Sequence, residues 1–559
     1  MDVSPIVLWG VALAAALIAL PRLILWHKRP RQADRLLADW GCKTRAKQLD
    51  EDLLEDVAGY WREIRAEIPP EAIVDDITWR DLDMDEVFRR MDFTFSAAGS
   101  ESLYALMRFT GEKDAALARR SEILDALRSD RASRKALFSG LVRMPRERFC
   151  GAVSLLYSSE RMGPECPWLY YALAVLPLAI ALGALLYPPL LLGLAFSFLL
   201  NLVLHLLGDL HWWREKNAVS YLFGVLDAAR VLSRMDCPAL APEIARLREL
   251  SDALKPLRKR MRSLVPDDSD SLIGILAFYP RVLFLQDMVR LCRTAGTLRR
   301  HQGELRELYR RMGELDALQS LAALRESRED WCIPQFSPQR RVKCVSMTHP
   351  LLQNPVPNSL SWERCALITG SNASGKSTFA KAMAVNCILA QTICTCFARE
   401  FSLCRAQVRT SMAVRDNLLA GESYFLAEIR SLKRILDSAS GARPVFAFVD
   451  EILRGTNTIE RIAASASVLK RLSGQNALLM VATHDIELTR MLHRDFENWH
   501  FQEEVFAGGV RFPYLLLPGP AVSRNALLLL EQFGFEPAVI ERAEKLVREF
   551  ESSNTWPIL

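Results

Sequence analysis

CALITGSNASGKSTFAKAM, residues 365–383, decides the fold. It opens with an apolar run, Cys365–Thr369, that reads as a buried strand, and a helical pattern begins near Lys376. Between them, Gly370, Gly375, Lys376 and Ser377 fit the spacing G-x-x-x-x-G-K-[ST]. Glycines let such a loop curl until successive backbone N–H groups face phosphate oxygens, and the helix N terminus adds its positive dipole end. The expected nucleotide contacts are therefore Gly370, Ser371, Asn372, Ala373, Ser374, Gly375, Lys376, Ser377 and Thr378. Lys376 is expected to reach the β- and γ-phosphates, and the Ser377 hydroxyl to bind Mg²⁺. ATP and Mg²⁺ are the implied ligands.

Two downstream segments complete the chemistry. PVFAFVDE (444–451) is an apolar strand ending in Asp450 and Glu451. Asp450 suits the Mg²⁺ shell, and Glu451 is placed to orient or deprotonate an attacking water. ALLMVATHD (477–485) puts His484 just past a third strand, where open α/β sheets keep their ligands. A lone histidine is usually structural, but in that place it reads as a γ-phosphate sensor. Glu451, His484 and Lys376 are thus the expected catalytic groups, with Ser377 and Asp450 holding the metal. The fold class that follows for the C-terminal part is an α/β P-loop ATPase domain of ABC type.

Outward from this domain the texture changes. The chain has 559 residues, too many for one core. A net charge of +5 does not mark a strongly basic nucleic-acid binder. The 12 Cys residues, at irregular spacings, read as reduced thiols rather than a disulfide framework. Residues 31–166 and 209–335 are helical in pattern; in 298–324, Leu305, Leu308, Met312, Leu315 and Leu318 mark one face. Ile6–Trp26 reads as an uncleaved anchor followed by His27, Lys28, Arg29 and Arg31. Pro167–Gly208 holds 42 residues without Asp, Glu, Lys or Arg, broken by Tyr187-Pro188-Pro189. One spanning helix needs about 20 residues, so this run fits two, with aromatic residues at its ends. A helical hairpin buried in a soluble core is the alternative. The expected organisation is an N-terminal transmembrane anchor (1–30), a cytoplasmic helical region (31–166), a transmembrane hairpin (167–208), a helical core or lever (209–335) and the ATPase domain (336–559). That makes a multi-pass protein of the cell's inner membrane, with the ATPase domain in the cytoplasm.

LITGSNASGKST (367–378), VDEILRGTNT (449–458) and VATHDIELT (481–489) resemble, in order and spacing, the ATPase domain of the MutS family of DNA mismatch-repair proteins. MTHPLL (347–352), DNLLAGESYFLAEI (416–429) and the tail 521–551 are similar to further segments of that domain. DEVFRRMDFTFSAAGSESLYALMR (85–108) and GELDALQSLAAL (313–324) resemble the family's helical core. The resemblance spans about residues 84–150 and 210–550 and implies a homodimer through the ATPase domains. In it Ser423 of one copy caps the γ-phosphate held by the other, and Glu428 matches the acidic residue that follows.

It implies DNA as the substrate, with a membrane-proximal protein partner as the competing expectation. The chain also departs from the family. No separate mismatch-reading domain is expected ahead of Asp85, and the apolar hairpin interrupts the helical core. Ala420, Glu422, Tyr424 and Leu453 differ from the family's residues, Leu453 standing where a Gly follows the acidic pair. No aromatic lies at 354–360 to stack on adenine; Trp362 is the nearest candidate. Two rival classes are an ABC-type transporter subunit, for which Leu472-Ser473-Gly474-Gln475 is a near miss to the signature, and a membrane-tethered scaffold.

Overall fold

The computed structural model describes residues 34, 35, 37–42, 51–145, 151–157, 163, 164, 166–264, 272–371, 373–412, 424–506, 509–521, 527, 530, 534–553 and 557. The expected N-terminal anchor, Asn372 and Ser423 lie outside these residues. Contacts divide the chain into two units. The first takes Met1–Glu67, Met91–Leu106 and Arg119–Ser327; the second takes Ile68–Arg90, Met107–Ala118 and Arg328–Leu559. Ile68–Arg90 and Met107–Ala118, read above as part of the helical region, thus associate with the P-loop sheet.

The first unit is helical throughout its described residues. Helices α1 (Pro167–Ala184) and α2 (Leu191–His211) are joined by a 3₁₀ turn at Pro188–Leu190. Then come α3 (Trp213–Leu232), α4 (Lys255–Met261), α5 (Leu272–Leu283), α6 (Gln286–Arg300) and α7 (Gln302–Ser327). Leu305, Leu308, Met312, Leu315 and Leu318 of α7 are all buried, as their spacing predicts. On the same helix, Asp316 is wholly buried and accepts from Phe95 N (3.0 Å), Ser96 N (2.9 Å) and Ser96 Oγ (2.6 Å). It thereby fixes Ser96, whose own Oγ accepts from Gly99 N (3.0 Å) in the first turn of the helix Ala97–Arg108. Gly313 allows the close approach, since a Cβ there would lie 2.4 Å from the Ala98 carbonyl oxygen.

α1 and α2 are not core helices. Both are long and apolar enough to cross a membrane, and only 6% and 17% of their apolar windows are buried. Trp168, Leu182, Leu186, Leu192 and Phe196 are exposed. The alternative of a hairpin hidden in a soluble core does not describe this structure. α5 packs against α2, and the buried Asn201 of α2 donates to the Leu283 carbonyl at the end of α5 (2.7 Å).

The second unit is built on a six-stranded sheet. Its strands are β4 (Cys365–Thr369), β6 (Gln407–Ser411), β7 (Val445–Asp450), β8 (Ala477–Ala482), β9 (Phe496–Phe501) and β12 (Leu516–Pro518). Their order is β12-β9-β4-β8-β7-β6, parallel except for β12 at the edge. β4 and β8 are buried along their whole length, which is why both read as continuous apolar runs. Helices α8 (Lys376–Ile393), α9 (Tyr424–Ala439), α10 (Thr458–Ser473) and α11 (Ile486–Met491) accompany the sheet. A smaller sheet, β1-β5-β2-β3, joins Gln335–Phe336, Glu400–Leu403, Val342–Met347 and Asn358–Trp362, and β10 (Glu504–Phe506) pairs antiparallel with β11 (Gly509–Arg511). Among the described residues no cysteines are bonded to each other, and most are buried.

Glu101 of the first unit generates a pH-dependent expectation. It is buried, accepts from the Tyr309 hydroxyl at 2.7 Å, and burial pushes its carboxyl up from 4.5 to about 8. Between these values the folded chain keeps a proton that the unfolded chain releases. This group's contribution is therefore present at low pH and lost as pH rises through the window, by at most about 1.4 kcal/mol per pH unit. In denaturant titrations, the stability of the wild type relative to Glu101→Gln is expected to fall between about pH 5 and pH 8. A pH-independent difference would contradict the assignment.

Candidate nucleotide site

Three parallel strands end side by side, and each delivers one part of the site. After β4 the chain turns through Gly370 (φ +140°) and Gly375 (φ +103°) into α8. At Gly370 a Cβ would lie 2.5 Å from the Phe501 carbonyl oxygen, so only glycine fits. Lys376 is buried, with Nζ donating to the carbonyls of Gly370 (2.7 Å) and Ser371 (2.6 Å). Burial pushes its ammonium down to about 8, against the opposing pull of Glu451, Asp450 and Glu503. Ser374 Oγ donates to the Ser371 carbonyl (2.7 Å), and Ser371 Oγ to Glu503 (3.1 Å). Ala373 and Thr378 are exposed at the loop and first turn of the helix.

Asp450 ends β7 and Glu451 follows it in a left-handed conformation (φ +52°). The Glu451 N–H donates to the Ala482 carbonyl of β8 at 2.9 Å, which turns its side chain into the cleft. Its Oε1 lies 2.9 Å from His484 Nε2, and its other oxygen pairs with Arg454. Burial acts to raise the Glu451 pKa, but the hydrogen bonds from His484 and Arg454 outweigh it and hold the carboxylate below its usual range. His484 Nε2 is also 3.4 Å from Lys376 Nζ. Arg461 of α10 grips the next residue, Asp485, through two bonds of 3.1 and 2.7 Å, which fixes the His484 turn.

The metal expectation can be tested on the oxygen donors. Burial, with the nearby Glu451 charge, holds Asp450 above its usual range although the Ser377 hydroxyl donates to it. Asp450 Oδ1 is buried without a hydrogen-bond partner. A buried carboxylate oxygen beside a serine hydroxyl fits Mg²⁺, which takes few protein ligands and completes its shell with water and phosphate. Among the described residues no larger cluster of His, Cys, Asp or Glu could cage a metal.

Other expectations fare differently. Trp362 is 1% exposed and packed between Phe446 and Phe448, at 5.6 and 5.4 Å, so it is a core residue and no platform for a base. The exposed aromatic beside the loop is Tyr514, in a left-handed conformation (φ +56°), whose ring would lie 3.1 Å from a Cβ on Gly375. No motif surrounds Tyr514, and sequence reasoning missed it. Leu472-Ser473-Gly474-Gln475 lies at the C-terminal end of α10, before β8 begins. It is therefore at the opposite edge of the sheet from the loop, with no helix N terminus to offer a nucleotide.

Leu453, the residue in place of a glycine, is left-handed (φ +59°) and buried. Its N–H donates to the buried Glu428 of α9. Glu428 thus holds the turn that follows the acidic pair, a role its sequence match did not reveal.

A parallel α/β sheet that brings a glycine loop, an acidic pair and a histidine to one edge defines a P-loop nucleotide-binding domain. A family model described as MutS domain V matches residues 366–551. The chain is 30% identical over 254 residues to the DNA mismatch repair protein MutS of Thermus thermophilus, covering 44% of this chain and 31% of that one. It is 31% identical over 255 residues to that of Thermus aquaticus (45% and 31%), and 30% over 322 residues to that of Nitratidesulfovibrio vulgaris (55% and 33%). Through its C-terminal domain this chain is similar to the MutS family. It spans about a third of the length of the curated relatives it matches.

Glu428 gives this geometry a stability test. Glu428→Ala leaves the buried Leu453 N–H without an acceptor, at a cost of about 1–3 kcal/mol, whereas Glu428→Gln retains a carbonyl oxygen for it. Thermal unfolding is expected to rank wild type, Gln and Ala in falling order. Equal losses for Gln and Ala would remove the hydrogen bond from the account.

Proposed function

We propose that this protein is a membrane-anchored ATPase that closes two copies of its P-loop domain over ATP and acts on DNA. The observation that carries the proposal is the convergence of Lys376, Glu451 and His484 at the ends of β4, β7 and β8. In this reading Lys376 exchanges the carbonyls of Gly370 and Ser371 for the β- and γ-phosphate oxygens. Ser377 and Asp450 hold Mg²⁺, which supplies charge neutralisation at the phosphates. Glu451, kept ionised by its partners, orients and deprotonates water. His484, fixed by Asp485 and Arg461, bridges Glu451 to the γ-phosphate.

Ser423 of the second copy completes each site, which the motif resemblance supports. Tyr514 offers the face on which adenine stacks. Opening of the dimer after hydrolysis moves the helical core. DNA is the substrate class that the name of the relatives supports, and the chain's modest positive charge makes backbone affinity weak.

The membrane part of the proposal rests on α1 and α2. Their apolar surfaces are exposed, and such area is stable only against hydrocarbon or a partner. Arg214 and Lys216 after the hairpin favour cytoplasmic flanks, with the turn at Tyr187–Pro189 outside.

Lys376→Ala is expected to abolish ATP binding. Glu451→Gln is expected to bind ATP but turn over at least a hundredfold more slowly, accumulating a dimer in size-exclusion chromatography. Normal turnover in Glu451→Gln would falsify the assignment of the base. For Tyr514→Ala the expectation is a severalfold rise in KM for ATP with kcat retained. An unchanged KM would leave adenine without its stacking partner.

A further inference from the structure

The basic residues around α4 and α6 have no part in nucleotide chemistry. α4 reads KPLRKRM and runs into Arg262 without an acidic residue. It packs on α6, where Arg260 donates to the Arg293 carbonyl (3.1 Å) and to the Thr297 hydroxyl, and Arg290 to the Ser263 carbonyl (3.2 Å). Lys255, Lys259, Arg262 and Arg293 are exposed, Lys255 pairing with Asp252 at 2.9 Å. Arg258 pairs with Asp227 at 3.3 Å. Burial first, and then the neighbouring Arg230, Arg262 and Arg234, push its guanidinium down. Cations are crowded here beyond their local counter-charge.

The same surface adjoins the ends of the apolar hairpin. The Arg293 guanidinium sits 5.9 Å over the ring of Tyr171, in the second turn of α1. Where α2 returns, a Cβ on its Gly208 would lie 2.9 Å from Met288 Sδ of α6, so the helices touch there. Asp287, the acidic residue of α6, is held by Arg290 (3.7 Å) and faces His205 (3.9 Å). Asp267, Asp268 and Asp270, between α4 and α5, lie outside the described residues.

We infer that the α4–α6 face binds the anionic phospholipid headgroups of the leaflet in which the hairpin ends. The inference rests on the membrane reading above. Phosphates at that leaflet are held at the level of Tyr171, Trp168 and Trp213, within side-chain reach of Arg293. Basic surfaces next to spanning helices bind such headgroups. A duplex would have to reach a face lying against the bilayer, which makes nucleic acid the poorer match.

The test uses the full-length protein in neutral detergent micelles, titrated with fluorescent phosphatidylglycerol or phosphatidylcholine. Wild type is expected to prefer phosphatidylglycerol at least fivefold. The variant carrying Lys255→Gln, Lys259→Gln, Arg262→Gln and Arg293→Gln is expected to lose that preference with an unchanged melting temperature. No preference in wild type, or an undiminished preference in the variant, overturns the inference. So does a variant that loses duplex DNA binding while keeping its lipid preference. Alkaline carbonate extraction separates the two readings. Wild type retained in membranes but indifferent to headgroup defeats this inference alone, whereas release from membranes defeats the membrane reading as well.

Discussion

The backbone register of three adjacent strands is the constraint on which the site depends. Ile368 of β4 and Asp450 of β7 both stand opposite Ala482 of β8, so the three strands end flush. The ladder continues one step beyond them, through Thr483 N to the Ile368 carbonyl (3.0 Å) and Glu451 N to the Ala482 carbonyl (2.9 Å). Those two bonds place His484 and Glu451 beside the glycine loop. A slip of one residue would turn every buried side chain of a strand to the other face. Because β4 and β8 are buried on both faces, it is the close packing of their side chains that holds this register, so the core and the site are specified by the same residues.

The turn after the acidic pair is held against local preference. Glu451 and Leu453 are both left-handed without being glycine, at roughly 1–2 kcal/mol each. The Ala482 carbonyl and the Glu428 carboxylate hold the two N–H groups that the conformation presents. Glu428 belongs to α9, the helix directly after the segment that carries Ser423. In the proposed mechanism, engagement of a second copy at Ser423 would therefore pull on the same helix that holds the turn beside Glu451.

How far the sequence could be read depended on whether a feature was local. The strand–loop–helix at 365–383, the strand ending in Asp450-Glu451 and the period of α7 are all set by near neighbours, and they stand where spacing puts them. Distant packing left no such trace. Asp81, buried on the helix Asp76–Asp81, accepts from Thr410 Oγ1 (2.7 Å) and Met412 N (3.0 Å), so an early segment braces β6 across more than three hundred residues. Trp362 looked available because it is aromatic and near the loop in sequence, but its strand faces the core. Tyr514 reaches the loop because Asn358 of β3 accepts from Leu516 N (2.8 Å) and donates to the Tyr514 carbonyl (2.9 Å). A single asparagine far upstream carries no signal for that.

The central claim is that β4, β8 and β7 together hold a nucleotide through this chain's own loop and acidic pair. Its most direct test is a structure of the full-length protein determined with Mg²⁺ and a non-hydrolysable ATP analogue. The account predicts phosphate density over Gly370–Ser377, with Lys376 Nζ moved off the carbonyls of Gly370 and Ser371 and Asp450 Oδ1 facing the metal. A loop without phosphate density, or Lys376 still bonded to those carbonyls beside a bound nucleotide, would contradict it.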